Sequence, residues 1–293
     1  MMRQGELFSS ACEDGYYERV TAIALSLACR RLSAHRSRFS RRDFTRRQQL
    51  AILVLRALRD ETYRGICEFL RSAPGVRDTL GLRSVPHFTT LQKFADREDI
   101  VTLVDELIAE IVERLPPGEG CEVAIDSTGL SPTCASRHYV SKRSGRESRY
   151  VKVSVAVTLG AVVLPCAAVL SWGPGPDLKE GYELAERAAL AVSPSRLYAD
   201  RGYDSERLHE LLREGYGVES VIPPVPRGPD RVVRTKHRSR LHGSIPKSYG
   251  RRWHVEGFFS GMKRVTGESV RARGEHRPLK EASLKVLAYA VHR

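Results

Sequence analysis

Three carboxylates in this chain stand among groups suited to handling a phosphodiester. Asp126 lies in VAIDSTGL, Asp200 in LYADRGYDS, and Glu256 in YGRRWHVEGFFSGMK together with Tyr249, Arg252 and Lys263. The spacings are Asp-x73-Asp-x55-Glu for the acids and Tyr-x2-Arg-x3-Glu-x6-Lys around the glutamate. Three carboxylates without His or Cys favour hard cations, Mg²⁺ or Mn²⁺, over zinc. Two such ions about 4 Å apart can activate an attacking oxygen and stabilise the leaving one across a phosphorus. At about 100° per residue, Arg252, Glu256 and Lys263 share one helix face, which sets a metal ligand among phosphate-binding cations.

Each residue also has an ordinary reading. An aspartate after a strand is commonly a turn former, and Ser127, Thr128 and Gly129 after Asp126 read as a small polar turn. Asp204 rivals Asp200 but suits the N-cap of the following helix. Glu122 rivals Asp126 but opens its strand. Trp253 and Trp172 are candidates for stacking on a base, although core packing is the commoner fate of such rings.

The elements that must position these groups fall into two sets. Residues 1–115 read as helical, with amphipathic runs around Val20 to Ala28, Arg46 to Leu58, Tyr63 to Leu70, Thr89 to Ala95 and Ile100 to Leu115. Pro116 to Gly120 breaks the pattern and marks a boundary. Beyond it the reading is mixed α/β. Strands are expected at Glu122 to Asp126, Arg149 to Leu159, Val162 to Leu170, Ser195 to Ala199 and Glu219 to Ile222. Helices are expected at Leu178 to Val192, Ser205 to Glu214, Arg251 to Arg264 and Lys280 to His292. Between them lies a Pro- and Arg-rich loop, Pro223 to Lys247. The apolar stretch Val153 to Trp172 is long enough to span a bilayer, but its valines alternate with polar or small residues and Gly160 interrupts it, so a buried hairpin is expected.

The tyrosine-arginine-glutamate-lysine pattern, with the two upstream aspartates, resembles insertion-sequence transposases that cut DNA with an Asp-Asp-Glu triad. The likeness covers Glu122 to Arg293 well. It includes the Asp-Arg-Gly-Tyr run at Asp200 to Tyr203 and, less specifically, SVPHFTTLQKF at Ser84 to Phe94. It implies a ribonuclease-H-like catalytic domain over 121–293, a mixed five-stranded sheet flanked by helices. An all-α DNA-binding domain over 1–115 would precede it, with a helix-turn-helix reader as one arrangement. The resemblance makes Asp126, Asp200 and Glu256 the catalytic metal ligands, for two Mg²⁺ with Mn²⁺ able to substitute. Tyr249, Arg252 and Lys263 would hold DNA, and Arg201, Arg251, Arg264, Lys142 and Arg143 are further candidate contacts. Only 55 residues separate Asp200 from Glu256, too few for the large β-insertion that some relatives carry there.

The charge agrees with a polyanion partner. The chain holds 48 Lys+Arg against 35 Asp+Glu, a net +13. From Val221 to Arg293 there are 17 basic and 5 acidic residues, so +12 sits in the last quarter. Arg30 to Arg47 adds eight arginines and one acid. Such concentrations draw nucleic acid. A second basic run, Lys142, Arg143, Arg146, Arg149 and Lys152, precedes the valine hairpin. The opening MMRQGELFSS has no apolar core of a secretory signal. The six cysteines lack paired CxxC spacing, so reduced thiols in a cytoplasmic, nucleoid-associated protein are expected. Cys134 and His138 supply only half of a zinc site.

The expected function is a transposase that binds insertion-sequence ends and cleaves and transfers strands in cut-and-paste fashion. Its partners would be double-stranded DNA, terminal repeats and target alike, with a homodimer or larger assembly on DNA and no membrane. The competing readings are a nuclease that cuts without joining and a catalytically silent DNA-binding protein.

Overall fold

The computed structural model describes residues 15–39, 42–132, 149–226 and 232–293. Six helices come first: α1 (Tyr16–Arg31), α2 (Arg46–Leu58), α3 (Tyr63–Ser72), α4 (Pro74–Leu80), α5 (Phe88–Ala95) and α6 (Ile100–Arg114). α2 starts where it does because Thr45 and Gln48 form a capping box: the Thr45 side chain accepts from the Gln48 amide, and Gln48 returns the bond to the Thr45 amide at 2.8 Å. α4 ends at Gly81, whose φ of 63° closes the helix in the left-handed region.

The sheet follows. Its strands are β1 (Glu122–Pro132), β2 (Tyr150–Thr158), β3 (Pro165–Gly173), β4 (Arg196–Tyr198), β5 (Glu219–Val221) and the short β6 (Ser269–Val270). They run in the order β3-β2-β1-β4-β5, with β6 added to the far end of β1. β1, β2 and β3 are antiparallel neighbours, while β4, β5 and β6 run parallel to their partners. The valine stretch is thus the expected hairpin, and no helix among the described residues is long and apolar enough to cross a membrane. β6 was not expected: two residues carry no periodicity to read.

Helices cover both faces. α7 (Leu178–Val192) and the short α8 (Glu206–Glu210), which continues as one π-turn through Gly215, pack with Val123, Ile125, Leu197 and Ala199. α9 (Trp253–Thr266) and α10 (Arg277–His292) lie on the other face, with Ala124, Leu130, Tyr198 and the β2 valines. Gly261 brings α9 close to α10, for a Cβ there would collide with the Tyr289 hydroxyl.

That second core does not stop at the sheet. It runs without a break into the buried residues of α1, α2, α3, α5 and α6. Arg56 of α2 donates to Glu281 of α10 at 3.0 Å, with both side chains buried. The helical leader and the sheet share one apolar interior.

Candidate active site

Asp126 stands mid-strand, not at a strand end. β1 continues through Ser127, Thr128 and Gly129, which pair with Ser154, Val153 and Lys152 of β2. A Ser-Thr-Gly run reads as a turn from sequence alone. Here the cross-strand partner keeps it extended, and the Ser127 hydroxyl bonds Ser154 Oγ at 2.8 Å. β4 is much shorter and stops at Tyr198.

This mismatch creates the site. Ala124 lies opposite Tyr198 in parallel register. Asp126, two residues further along β1, returns to the face covered by α9, and Asp200, two residues beyond Tyr198, opens the turn that follows β4 near Asp126 and Tyr249. Asp200 acts on Asp126: it helps raise the Asp126 pKa, after burial, which is the largest cause. The Ser127 amide at 2.8 Å and Arg252 oppose that rise. Asp200 itself caps a 3₁₀ turn, Arg201–Tyr203, by accepting from the Gly202 amide at 2.8 Å.

Glu256 comes from the first turn of α9. Arg252, on the 3₁₀ segment Lys247–Arg252 that leads into the helix, joins it to the strands. One guanidinium nitrogen donates to Asp126 at 3.0 Å and another to Glu256. The predicted sharing of a face by Arg252 and Glu256 is therefore realised, although Arg252 precedes the helix. Tyr249 packs on the core beside Arg252; burial raises its hydroxyl pKa, Arg252 opposes this and nearby Asp200 adds to it. Among the described residues Arg201, Lys263 and Arg264 make no ion pair, and Lys263 is half-buried while the other two are exposed.

Other candidates are committed elsewhere. Arg251 pairs with Glu122 and donates to Leu159 O at 3.2 Å. Glu122, the rival of Asp126, is held there and by the Tyr198 hydroxyl at 2.9 Å. Asp204 is not the N-cap of α8: Ser205 occupies that position, and buried Asp204 takes two bonds from Arg238 at 2.7 Å. Lys152 is buried between Asp177 at 2.8 Å and Glu180 at 3.0 Å, so it leaves the proposed basic run. Arg149 pairs with Glu275 and stacks over Trp172. Trp253 is not a core residue; it is 60% exposed and stacks on His254. Lys142, Arg143 and Arg146, with Cys134 and His138, lie outside the described residues.

Sequence reasoning passed over what lies behind the two aspartates. Tyr203, fully buried, bonds the Ser127 hydroxyl at 2.8 Å. It ties the residue after Asp126 to the turn that begins at Asp200. The Asp-Arg-Gly-Tyr run was the available signal, but spacing alone does not say which hydroxyl a tyrosine will meet.

Among the described residues no three His, Cys, Asp or Glu side chains are already gathered for a metal. The donor chemistry nonetheless fits a hard divalent ion. The available ligands are all oxygens, and Asp200 disfavours the charge of Asp126.

The transposase DDE domain family model matches residues 117–291, more than half of the chain. The chain belongs to this transposase family. Such transposases are metal-dependent enzymes that cleave DNA. The match spans the whole sheet, α9 and nearly all of α10, so Asp126, Asp200, Arg252 and Glu256 all lie within it. No curated protein compared with the transposase matches it.

Proposed function

We propose that this transposase binds the ends of an insertion sequence and both cleaves and joins DNA strands there. The observation that carries the reading is the single guanidinium of Arg252 on Asp126 and Glu256, with Asp200 near enough to act on the Asp126 carboxyl. Asp126, Asp200 and Glu256 would hold Mg²⁺, two ions by preference, with Mn²⁺ able to substitute. Bound there, the ions would activate the attacking oxygen and stabilise the leaving one.

The protein's own groups do the rest. Asp126 is fixed by the Ser127 amide and by its place in a continuous strand. Arg252 neutralises two acids that must stand near a third. On meeting DNA it can turn its forked donors to a phosphate, for which a guanidinium is well shaped. Tyr249, Lys263, Arg201 and Arg264 supply further contacts beside the cut. Water attack nicks the end, and attack by the freed 3′-hydroxyl joins strands; both can use one site. The helical leader, residues 1–115, is assigned to reading the ends. The active species is a dimer or larger on DNA, and it acts at the nucleoid.

The test is Mg²⁺-dependent cleavage of supercoiled plasmid carrying the element's own ends, comparing wild type with Asp126→Asn, Asp200→Asn and Glu256→Gln. Wild type should nick and yield joined product, while each variant should lose at least a hundredfold in rate yet keep DNA binding. Equal activity in all four samples would refute the triad. Nicks without joined product would reduce the reading to a nuclease.

A further inference from the structure

The helical leader holds a second charged site, on the connector between α1 and α2. A hollow of about 330 Å³ opens there against α5. Four cations line it, Arg36, Arg46, Lys93 and Arg97, together with Gln49 and Thr90. No carboxylate lines it among the described residues. Asp99 reaches only the rim, pairing with Arg97 and, at 3.7 Å, with Arg46.

Such a grouping is unfavourable on its own terms. Arg46 is largely buried, and its Nε has no hydrogen-bond partner. Burial, then Arg97 and Arg36, work against its charge, and Asp99 only partly offsets them. Arg46 and Arg47 also open α2, whose first turn contains no acid. Cations at a helix N-terminus oppose the helix dipole, whereas an anion there is favoured by it. Burial, mutual repulsion and the dipole are all relieved by one negatively charged guest.

We propose that this hollow binds a phosphate of the duplex DNA backbone, clamping the DNA independently of its base sequence. Its open mouth suits a polymer, and the arginine-rich segment around it extends the same field. The assignment rests on the reading that this transposase engages DNA. Neutral donors from Thr90 and Gln49 supplement the four cations, as in phosphate contacts generally.

The test uses the full chain in EDTA, so that binding is measured without cleavage. Fluorescence anisotropy with a labelled duplex of arbitrary sequence is followed from low to high KCl for wild type, Lys93→Gln, Arg36→Gln and Arg46→Gln. Lys93 and Arg36 are exposed, so their variants fold even if the Arg46 variant does not. Each substitution should reduce the slope of log affinity against log salt by about 1. The loss should be the same on end DNA and on unrelated DNA. Unchanged slopes for Lys93→Gln and Arg36→Gln would overturn the proposal while leaving the active-site reading intact. Failure of wild type to bind any duplex would instead sink the DNA reading itself. Inorganic phosphate at constant ionic strength is the second probe. Competition with DNA in wild type, lost in the variants, supports the site. Variants that lose phosphate but keep DNA affinity would assign the hollow to free phosphate and overturn the claim for DNA.

Discussion

At the scale of single residues, the site depends on a hydroxyl that touches no substrate. Tyr203 joins the Asp126 strand to the Asp200 turn through Ser127, which also bonds Ser154. Tyr203→Phe keeps the ring in its core and deletes that tie. The expected cost is about 1–2 kcal/mol in denaturant unfolding, since a buried hydroxyl partner is lost while Ser127 retains Ser154. The nicking rate should fall further than stability does, because the two aspartates lose their common brace. A rate that merely tracked the unfolding loss would make Tyr203 a packing residue only. The three acids could be singled out in the sequence because their spacing and context form a joint pattern. The partners of Arg251 and Lys152 were not legible, because charge is visible in a sequence and partners are not. Glu122, Asp177 and Glu180, which bind them, come from other elements.

At the scale of elements, the long loop before α9 is held down by α8. Arg238 docks on Asp204, and Glu206 accepts from the amides of His237 and Arg238 at 2.7 and 3.2 Å. Behind this contact His209 is fully buried against Ser220, and its pKa is pushed down to about 4, first by burial and then by Arg213. A depressed histidine pKa means that the folded state refuses a proton the unfolded chain accepts. The stabilisation is complete above about pH 6.5 and is lost as pH falls towards 4, by roughly 3 kcal/mol at most. Urea titrations from pH 7 to 4.5 should show this slope in wild type and a shallower one in His209→Gln. Parallel slopes would contradict it. The element order of the sheet was legible from period-two valines and from Gly and Pro punctuation. The extension of β1 was not, because its polar second half is extended only through its pairing with β2.

At the scale of the whole molecule, Glu281 holds two regions together. It pairs with buried Arg56 of α2 and accepts from the amides of Arg271 and Ala272 at 3.0 and 2.7 Å. Glu281→Ala strands a buried guanidinium, with an expected loss of about 3–5 kcal/mol. Because the apolar core is continuous from α1 to α10, calorimetry should show one unfolding transition in wild type and one, shifted down, in the variant. A separate early transition from the leader helices would disprove the coupling. The boundary at Pro116 to Gly120 marks a change of pattern, which a sequence shows well. It does not show that α10 returns to cover α2 and α6.

The shared interior also bears on how such a protein changes over generations. A leader that folded alone could be traded between genes as a cassette. Here α1, α2 and α6 pack on α10 within one apolar interior, so a transplanted leader would meet a foreign surface. New preferences must accumulate by substitution on the outer faces, in lineages where both ends of the chain descend together.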